Sequence, residues 1–149
     1  MENMDSQVQD GGSLPTSPLQ FDKKDWIVTQ IPSKETYPWL LKKHYAKRLT
    51  SIMLSFGLYK NNILKGVCTF GMPPMSSTEW ICDGLNMLDI LELNRLCVED
   101  GLEKNALSFF VSKCLNNIIG NKVILSYADS NKNHHGYIYQ STNWIYTGL

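Results

Sequence analysis

The sequence predicts an α/β (α+β) fold: a mixed central sheet with helices on both faces. Three observations predict it: a hairpin signal over residues 51–71, alternating strand-like and helix-like segments after it, and a length that suits one core. Such alternation after an antiparallel hairpin is typical of mixed sheets. With 149 residues, 43% of them hydrophobic, we expect a disordered tail over residues 1–24 and a single domain over residues 25–149.

The first half of the domain begins with the β-branched segment 26–31, which predicts a short strand. Ser33 can cap a helix and Pro38 suits a first turn, so we expect a helix over residues 39–48. The hairpin follows, with strands at 51–59 and 63–71. Its turn contains two Asn residues, which tolerate the positive φ that tight hairpin turns require.

The second half begins with a strand over residues 88–98, in which polar residues interrupt an apolar run. Asn105 is placed to cap a helix over 106–119, where apolar residues recur at helical spacing and Gly120 ends the pattern. The remaining predicted elements are a strand at 122–127, a helix at about 134–142 and a strand at 144–147.

Composition excludes several classes of protein. Fourteen basic and fourteen acidic side chains cancel, so a nucleic-acid contact has to come from a local patch. The four cysteines form no C-x-x-C pair and three lie in apolar runs, which is typical of reduced, buried thiols. We find no signal-peptide pattern and no run long enough to span a membrane, so we expect a cytoplasmic protein without a membrane partner.

The polar segment after the strand at 122–127 is the richest in groups that can transfer protons. It contains Asp129, His134, His135 and several tyrosines. Because the carboxyl ends of strands in α/β sheets gather ligands and chemistry, we expect the active end here. A metal held by these histidines with His44 and Asp129 is conceivable, but adjacent histidines on a helix do not face one centre, so we expect no metal site.

Basic and anion-binding candidates lie elsewhere. Arg95 interrupts an apolar strand, so it either binds an anion or forms a structural ion pair with Glu92 or Asp129. The helix at 39–48 presents either a solvated basic face or a phosphate-binding strip with stacking aromatics. The residues of that strip are Lys42, Lys43, Lys47 and Arg48, with Trp39 and Tyr45 beside them.

The element order is similar to that of the GNAT acyltransferases, and several blocks resemble a more specific family, the phage-encoded Mom proteins. The blocks run in order from residue 44 to the end of the chain. They are His44-Tyr-Ala-Lys-Arg48, Phe56-Gly-Leu, Gly66-Val-Cys-Thr-Phe-Gly-Met-Pro-Pro74, Glu92-Leu-Asn-Arg-Leu96, Ser126-Tyr-Ala-Asp129, His135-Gly-Tyr-Ile-Tyr-Gln140 and Tyr146-Thr-Gly148.

The resemblance implies a transferase that adds a methylcarbamoyl (acetamido-type) group to N6 of adenine in phage DNA and so blocks host restriction. Its partners would be double-stranded DNA and a small-molecule group donor, in the cytoplasm of the host. Two alternatives stay open: a GNAT acetyltransferase that uses acetyl-CoA on a protein or small-molecule amine, and a non-catalytic DNA-binding module.

Matching motifs carry the family's functional residues to this chain. The catalytic candidates are His44, Tyr45, Arg95, Ser108, Asp129 and Tyr139, and the same motifs add His135 and Tyr137 as substrate-binding candidates. The phosphate-binding strip supplies the other substrate-binding candidates, which are Trp39, Lys43, Lys47 and Arg48. Asp129 would accept the amine proton, or else caps a turn. Tyr139 would act as an acid, stack on the base or fill the core. His44 would relay a proton or is structural.

Two departures from the resemblance affect the donor and the length. The loop 98–106 has one Gly and three carboxylates where acetyl-CoA enzymes have a Gly-rich pyrophosphate loop. The donor is therefore left unknown, with acetyl-CoA open but disfavoured. The chain stops just after Gly148, where family members usually continue, so we expect a short or truncated member.

Overall fold

The protein forms a five-stranded mixed sheet whose spatial order, β1-β2-β3-β4-β5, follows the order of the chain. The computed structural model describes residues 21–73, 81, 86–127 and 136–148. The strands are β1 Trp26–Gln30, β2 Leu54–Lys60, β3 Ile63–Gly71, β4 Ile90–Val98 and β5 Val123–Leu125. The helices are α1 Ser33–Pro38, which continues into a π-helical turn at Trp39–Lys43, α2 Ala106–Asn116 and α3 Tyr137–Gln140. Neighbouring strands are antiparallel except β4 and β5, which are parallel.

Helices cover both faces of the sheet, as predicted. On one face Phe56 and Phe70 pack against Phe110 and Val111 of α2, and all four are almost fully buried. On the other face Leu40 of the π-helical turn belongs to a second buried cluster. Burial of alternate residues of each strand on opposite faces stabilises the three-layer arrangement. The fold class is therefore confirmed.

The hairpin prediction is confirmed, although its first strand runs from Leu54 to Lys60 and not over residues 51–59. Asn61 and Asn62 have φ angles of 50° and 62°, and Lys60 pairs directly with Ile63 across the turn. Two consecutive positive φ values match the right-handed twist of the strands that the turn joins.

The predicted helix at 39–48 is wrong in its bounds. The helix starts at Ser33, which is its first residue and not its cap, and helical structure ends at Lys43. Pro38 has no N–H and crowds the preceding turn, so the chain widens into a π-helical turn closed by the His44 N–H on the Trp39 carbonyl at 2.9 Å. His44 is extended, with ψ at 138°.

The predicted C-terminal elements are also corrected. The last helix starts at Tyr137, because Gly136 has a φ of 69° that a helix interior does not allow. The predicted strand at 144–147 is not formed. Instead Asn143 has a φ of 61°, and the Trp144 N–H turns back to the Tyr139 carbonyl. Several other elements are one to three residues shorter than predicted, β5 and α2 among them.

The predicted tail boundary at residue 24 can be compared with the described residues 21–24 only. Phe21 stacks on Trp26 and contacts Phe109 of α2, and Asp22 caps a short 3₁₀ turn at Lys23–Asp25. Phe21, which the prediction placed in the tail, therefore packs against the domain.

One glycine holds the segment before β2 against the end of β3. A Cβ built on Gly71 would lie 2.0 Å from the Ser51 carbonyl oxygen and 2.7 Å from the Asn94 side-chain nitrogen. The adjacent Met53 N–H donates to the Phe70 carbonyl at 2.8 Å. The backbone at Ser51 cannot withdraw without breaking these contacts.

We expect Gly71→Ala to lower the free energy of unfolding by about 2 kcal/mol or more, because backbone and not a flexible side chain would have to move. Urea unfolding measures the change. Gly57→Ala is the matched control, since its Cβ would meet only side-chain atoms, at 2.8 to 3.2 Å. A Gly71→Ala variant as stable as this control would contradict the close approach.

Candidate active site

The site lies where β4 and β5 part. The two parallel strands pair at only three positions, of which Glu92 with Leu125 is the last. β4 runs on to Val98, while the chain after Leu125 leaves the sheet. This divergence leaves the second half of β4 without a partner strand on that side. We call this region the β4–β5 cleft and define it by the hydrogen-bonded pair Ser126 and Tyr139 and by three residues linked to Tyr139 electrostatically: Tyr45 and Glu92 directly, and Arg95 through Glu92.

A hydrogen-bond relay crosses the cleft. The Tyr139 hydroxyl lies 2.7 Å from the Ser126 hydroxyl, which lies 3.1 Å from the Leu93 carbonyl. Because a carbonyl only accepts, the Ser126 proton goes to Leu93 and Tyr139 donates to Ser126. If Tyr139 gave up its proton, Ser126 could rotate and donate to the phenolate.

The tyrosine of this relay is held in its protonated form. Burial raises the pKa of Tyr139, and the Ser126 hydrogen bond opposes that effect. Cys68, Tyr45 and Glu92 raise the same pKa further through their negative charge when ionised. The residue is therefore a proton donor at neutral pH, and the same interactions indicate that Tyr45 and Glu92 lie near it.

Glu92 is a functional candidate that sequence reasoning did not propose as a catalytic group. Burial raises the pKa of its carboxyl, and the nearby positive charge of Arg95 opposes the shift. A carboxylate with a raised pKa at a cleft is typical of a general base or acid. In the sequence, Glu92 is recognisable as a polar residue inside an apolar strand. That pattern alone suggests no more than an ion pair with Arg95.

Arg95 lies on β4 opposite Thr69 of β3. One terminal nitrogen donates to the Asn94 carbonyl at 2.5 Å, while the buried Nε has no hydrogen-bond partner among the described residues. Within the same residues Arg95 forms no direct ion pair with Glu92. A buried donor without an acceptor is costly, which favours an anionic ligand over a purely structural role.

His44 and Tyr45 follow the π-helical turn. His44 is 7% exposed, and its Nδ1 accepts the Ala46 N–H at 3.1 Å, so the ring proton resides on Nε2. Its ring lies 4.3 Å from that of Tyr45, which is 51% exposed. The pair therefore combines a buried imidazole with a half-exposed tyrosine ring.

Other predicted site residues lie elsewhere. Ser108 is on the first turn of α2, donates to the Asn105 carbonyl and lines a cavity of about 550 Å³ with Phe109, Lys113 and Ser141. None of the cleft residues lines that cavity. Tyr137 is 73% exposed on α3. Asp129 and His135 lie outside the described residues, so whether Asp129 shares the cleft with Arg95 stays a prediction.

In the structure the residues of the predicted basic strip fall into two groups: Trp39 and Lys43 contact each other, whereas Lys47 and Arg48 are exposed. Trp39 is 9% exposed, and the Lys43 ammonium lies 4.0 Å from its ring centre, so Trp39 does not present a face for a base. Lys43 also forms an ion pair with Glu99. Lys47 and Arg48 are exposed.

The β4–α2 loop does not fit the diphosphate of acetyl-CoA. The pKa of Glu99 is lowered by hydrogen bonding to Lys65 and by Lys43, and that of Glu103 by Lys60. These carboxylates already engage the neighbouring lysines, and Asp100 adds an exposed negative charge. Only Gly101 supplies a glycine at positive φ. A diphosphate would meet negative charge where it needs donors.

Among the described residues, no group of three or more His, Cys, Asp or Glu side chains could hold a metal ion. His134, His135 and Asp129 are outside that part of the chain, so the expectation about metal stays a prediction. In the same part of the chain, no helix has the length and apolar character needed to cross a membrane. The three described cysteines, Cys68, Cys97 and Cys114, are buried and unpaired.

The splayed mixed sheet with helices on both faces defines a GNAT-like fold. The structure is similar to a GNAT-family acetyltransferase from Streptococcus pneumoniae TIGR4, with a TM-score of 0.52 and 10% identity over 83% of this chain and 95% of that one. It is also similar to the aminoglycoside N-acetyltransferase AAC(6')-Iy in complex with CoA, with a TM-score of 0.47 and 11% identity over 91% and 94% of the two chains.

The sequence identifies the family within that fold. The model of the Mom protein family matches residues 25–149. The chain therefore belongs to the Mom protein family, as its motifs indicated. No curated protein matches the sequence.

We expect Glu92→Gln to raise the melting temperature at neutral pH. A raised folded pKa means that Glu92 favours folding while it is protonated and that this contribution is lost as pH rises through the folded pKa. The amide resembles the protonated form, so its advantage should vanish below about pH 4.

Glu103→Gln is the control of opposite sign. Its carboxyl has a lowered pKa, so it favours folding above the unfolded pKa and loses that contribution as pH falls. This variant should be less stable than the wild type at neutral pH and equal to it in acid. Thermal unfolding followed over pH distinguishes the two patterns, and a shared sign would refute the environment assigned to Glu92.

Proposed function

We propose that this chain is a DNA-modifying transferase that adds a methylcarbamoyl (acetamido-type) group to N6 of adenine in phage DNA and protects it from host restriction. The observation that carries this proposal is the Mom family match over residues 25–149. The cluster of proton donors and a carboxylate in the β4–β5 cleft supports a group transfer at that position.

The acceptor amine needs help from a base. The lone pair of N6 is delocalised into the purine ring, so the amine becomes nucleophilic only as its proton is removed. The resemblance suggests Asp129 for this role. Glu92 is a second candidate, because its raised pKa brings its carboxyl closer to the range in which a base works efficiently.

The opposite proton transfer suits Tyr139. Its hydroxyl is protonated at neutral pH and is oriented by Ser126, so it can donate to the group that leaves the donor. Ser126 would then rotate its hydroxyl and donate a hydrogen bond to the Tyr139 phenolate, which this bond would stabilise. The positive charge of Arg95 would hold an anionic part of the donor, through the guanidinium donors that its hydrogen bond to Asn94 leaves unused.

The residues at the mouth of the cleft suit the acceptor base. Tyr45 offers an exposed ring, supported from below by His44. The proton on Nε2 makes His44 a hydrogen-bond donor on the side of its ring away from Ala46. Stacking on Tyr45 would orient an adenine, at about 1–3 kcal/mol for one base.

DNA from cells that express the protein should contain an altered adenine. A nucleoside digest analysed by mass spectrometry should show adenine heavier by the mass of the added group, which follows from transfer to N6. Cells that express the Tyr139→Phe variant supply the background. A digest that contains normal adenine alone, although the full-length protein is present and folded, would contradict the proposal.

Three substitutions should distinguish the roles in the cleft. Tyr139→Phe should lower the yield of modified adenine by about 10²-fold or more, because it removes the acid and leaves the ring in place. Asp129→Asn and Glu92→Gln decide between the two bases, since only the true base should cause a comparable loss. Tyr59→Phe, a tyrosine of β2 outside the cleft, is the control.

Affinity for DNA should remain near that of the wild type in all three cleft variants. A protein that only binds DNA would instead keep its effect on restriction in every one of them. Retained modification in Tyr139→Phe would exclude the proposed acid.

A further inference from the structure

Positive charge in this chain is concentrated in one region. The chain has fourteen acidic residues, yet none occurs from residue 36 to residue 78, where six basic residues lie. Those six are Lys42, Lys43, Lys47, Arg48, Lys60 and Lys65. The net charge of zero therefore conceals a strongly uneven distribution.

The structure separates the six into two groups. Lys43 and Lys65 are paired with Glu99, and Lys60 with Glu103. The other three are Lys42, Lys47 and Arg48, which are exposed and form no ion pair among the described residues. Among these six residues, those without an ion pair all lie within residues 42–48.

The same segment exposes large apolar side chains. Tyr45 is 51% exposed, Leu49 42% and Met53 48%. The Met53 N–H donates to the Phe70 carbonyl and so extends the pairing of β2 with β3. This pairing places Met72, which is 40% exposed, next to the segment before β2. We call residues 42–53 together with Met72 the basic-apolar strip. Exposed apolar groups collected beside free cations indicate a binding surface.

The strip is fixed to the sheet. The Asn94 amide donates to the Ser51 carbonyl at 2.9 Å, and its oxygen accepts the Thr69 hydroxyl at 2.6 Å. Gly71 leaves no space between Ser51 and β3. Lys47 is held at a φ of 45° with its N–H bonded to the His44 carbonyl. The backbone of the strip is therefore held before binding, so only its side chains have to be ordered when a partner binds.

The strip also borders the β4–β5 cleft. Asn94, which anchors it, precedes Arg95 on β4, and Tyr45 belongs to both the strip and the cleft. In a duplex N6 of adenine lies in the major groove within the base stack, and enzymes that act on a base commonly turn it out. Apolar side chains pushed between base steps can support such a distortion.

We propose that the basic-apolar strip is the duplex-DNA docking surface, in which Lys42, Lys47 and Arg48 bind backbone phosphates while Leu49 and Met53 enter the base stack. The choice of DNA as occupant rests on the proposed function, and the placement rests on the charge and exposure of the strip. The target adenine would leave the stack toward Tyr45, at the mouth of the cleft.

The salt dependence of binding tests the basic part of the strip. Binding of the full chain to a fluorescein-labelled duplex of mixed sequence is measured by anisotropy at several salt concentrations. Lys47→Ala and Arg48→Ala should each reduce the slope of log affinity against log salt by about 0.9, because each removes one phosphate contact. Lys104→Ala, an exposed lysine of the β4–α2 loop, should leave the slope unchanged. Equal slopes for all variants would refute the placement.

The apolar part is tested by Leu49→Ser and Met53→Ser. Each should weaken binding about tenfold at fixed salt without changing the slope, because the loss is of buried apolar surface. Energy transfer between dyes at the two duplex ends should show that the wild type bends DNA and that these variants bend it less. Unchanged melting temperatures identify a surface effect, and unchanged bending would exclude the insertion.

These measurements need no group transfer, so they fail independently of the proposed reaction. Slopes that change as expected, together with normal adenine in the nucleoside digest, would retain the surface and reject the transferase. Modified adenine together with strip variants that bind like the wild type would retain the transferase and reject the docking surface. Absence of DNA binding by the wild type would overturn the surface proposal.

Discussion

The parallel pairing of β4 with β5 stops at Glu92, and the rest of the candidate site depends on this interruption. Where the ladder ends, the Ser126 hydroxyl replaces it by donating to the Leu93 carbonyl, and Tyr139 is fixed through Ser126. A longer β5 would satisfy the same carbonyl with backbone and would leave Tyr139 without an oriented partner. The hydrogen bonding in the cleft is thus a product of an incomplete sheet, in which a side-chain hydroxyl takes the place of a backbone donor.

Charged side chains of opposite sign lie on two segments: the β4–α2 loop is acidic, and residues 42–48 are basic. The carboxylates of the β4–α2 loop pair with Lys43, Lys60 and Lys65. Lys42, Lys47 and Arg48 remain without an ion pair among the described residues. The acidic loop also leaves a diphosphate without the hydrogen-bond donors that it needs there. One set of ion pairs accounts for both properties.

The sequence predicted features that depend on local chemistry. Asn61 and Asn62 specified the hairpin turn, and apolar runs located β3 and β4 to within two residues. Features set by distant parts of the chain were missed. The segment 144–147 has the residue types of a strand, yet Trp144 packs on Tyr139 instead of pairing with the sheet. The raised pKa of Glu92 arises from burial beside β5, which no pattern around residue 92 contains. For Asp129 the motif remains the sole basis of its role.

The agreement between strand order and chain order bears on how the molecule assembles. The β2–β3 hairpin closes through the two-residue turn at Asn61 and Asn62, which favours its early formation. β5 needs the crossover through α2 and adds three residue pairs, so we expect it and α3 to dock last. Because Ser126 and Tyr139 arrive with these elements, we expect partly folded molecules to present the basic surface before the Ser126–Tyr139 hydrogen bond forms.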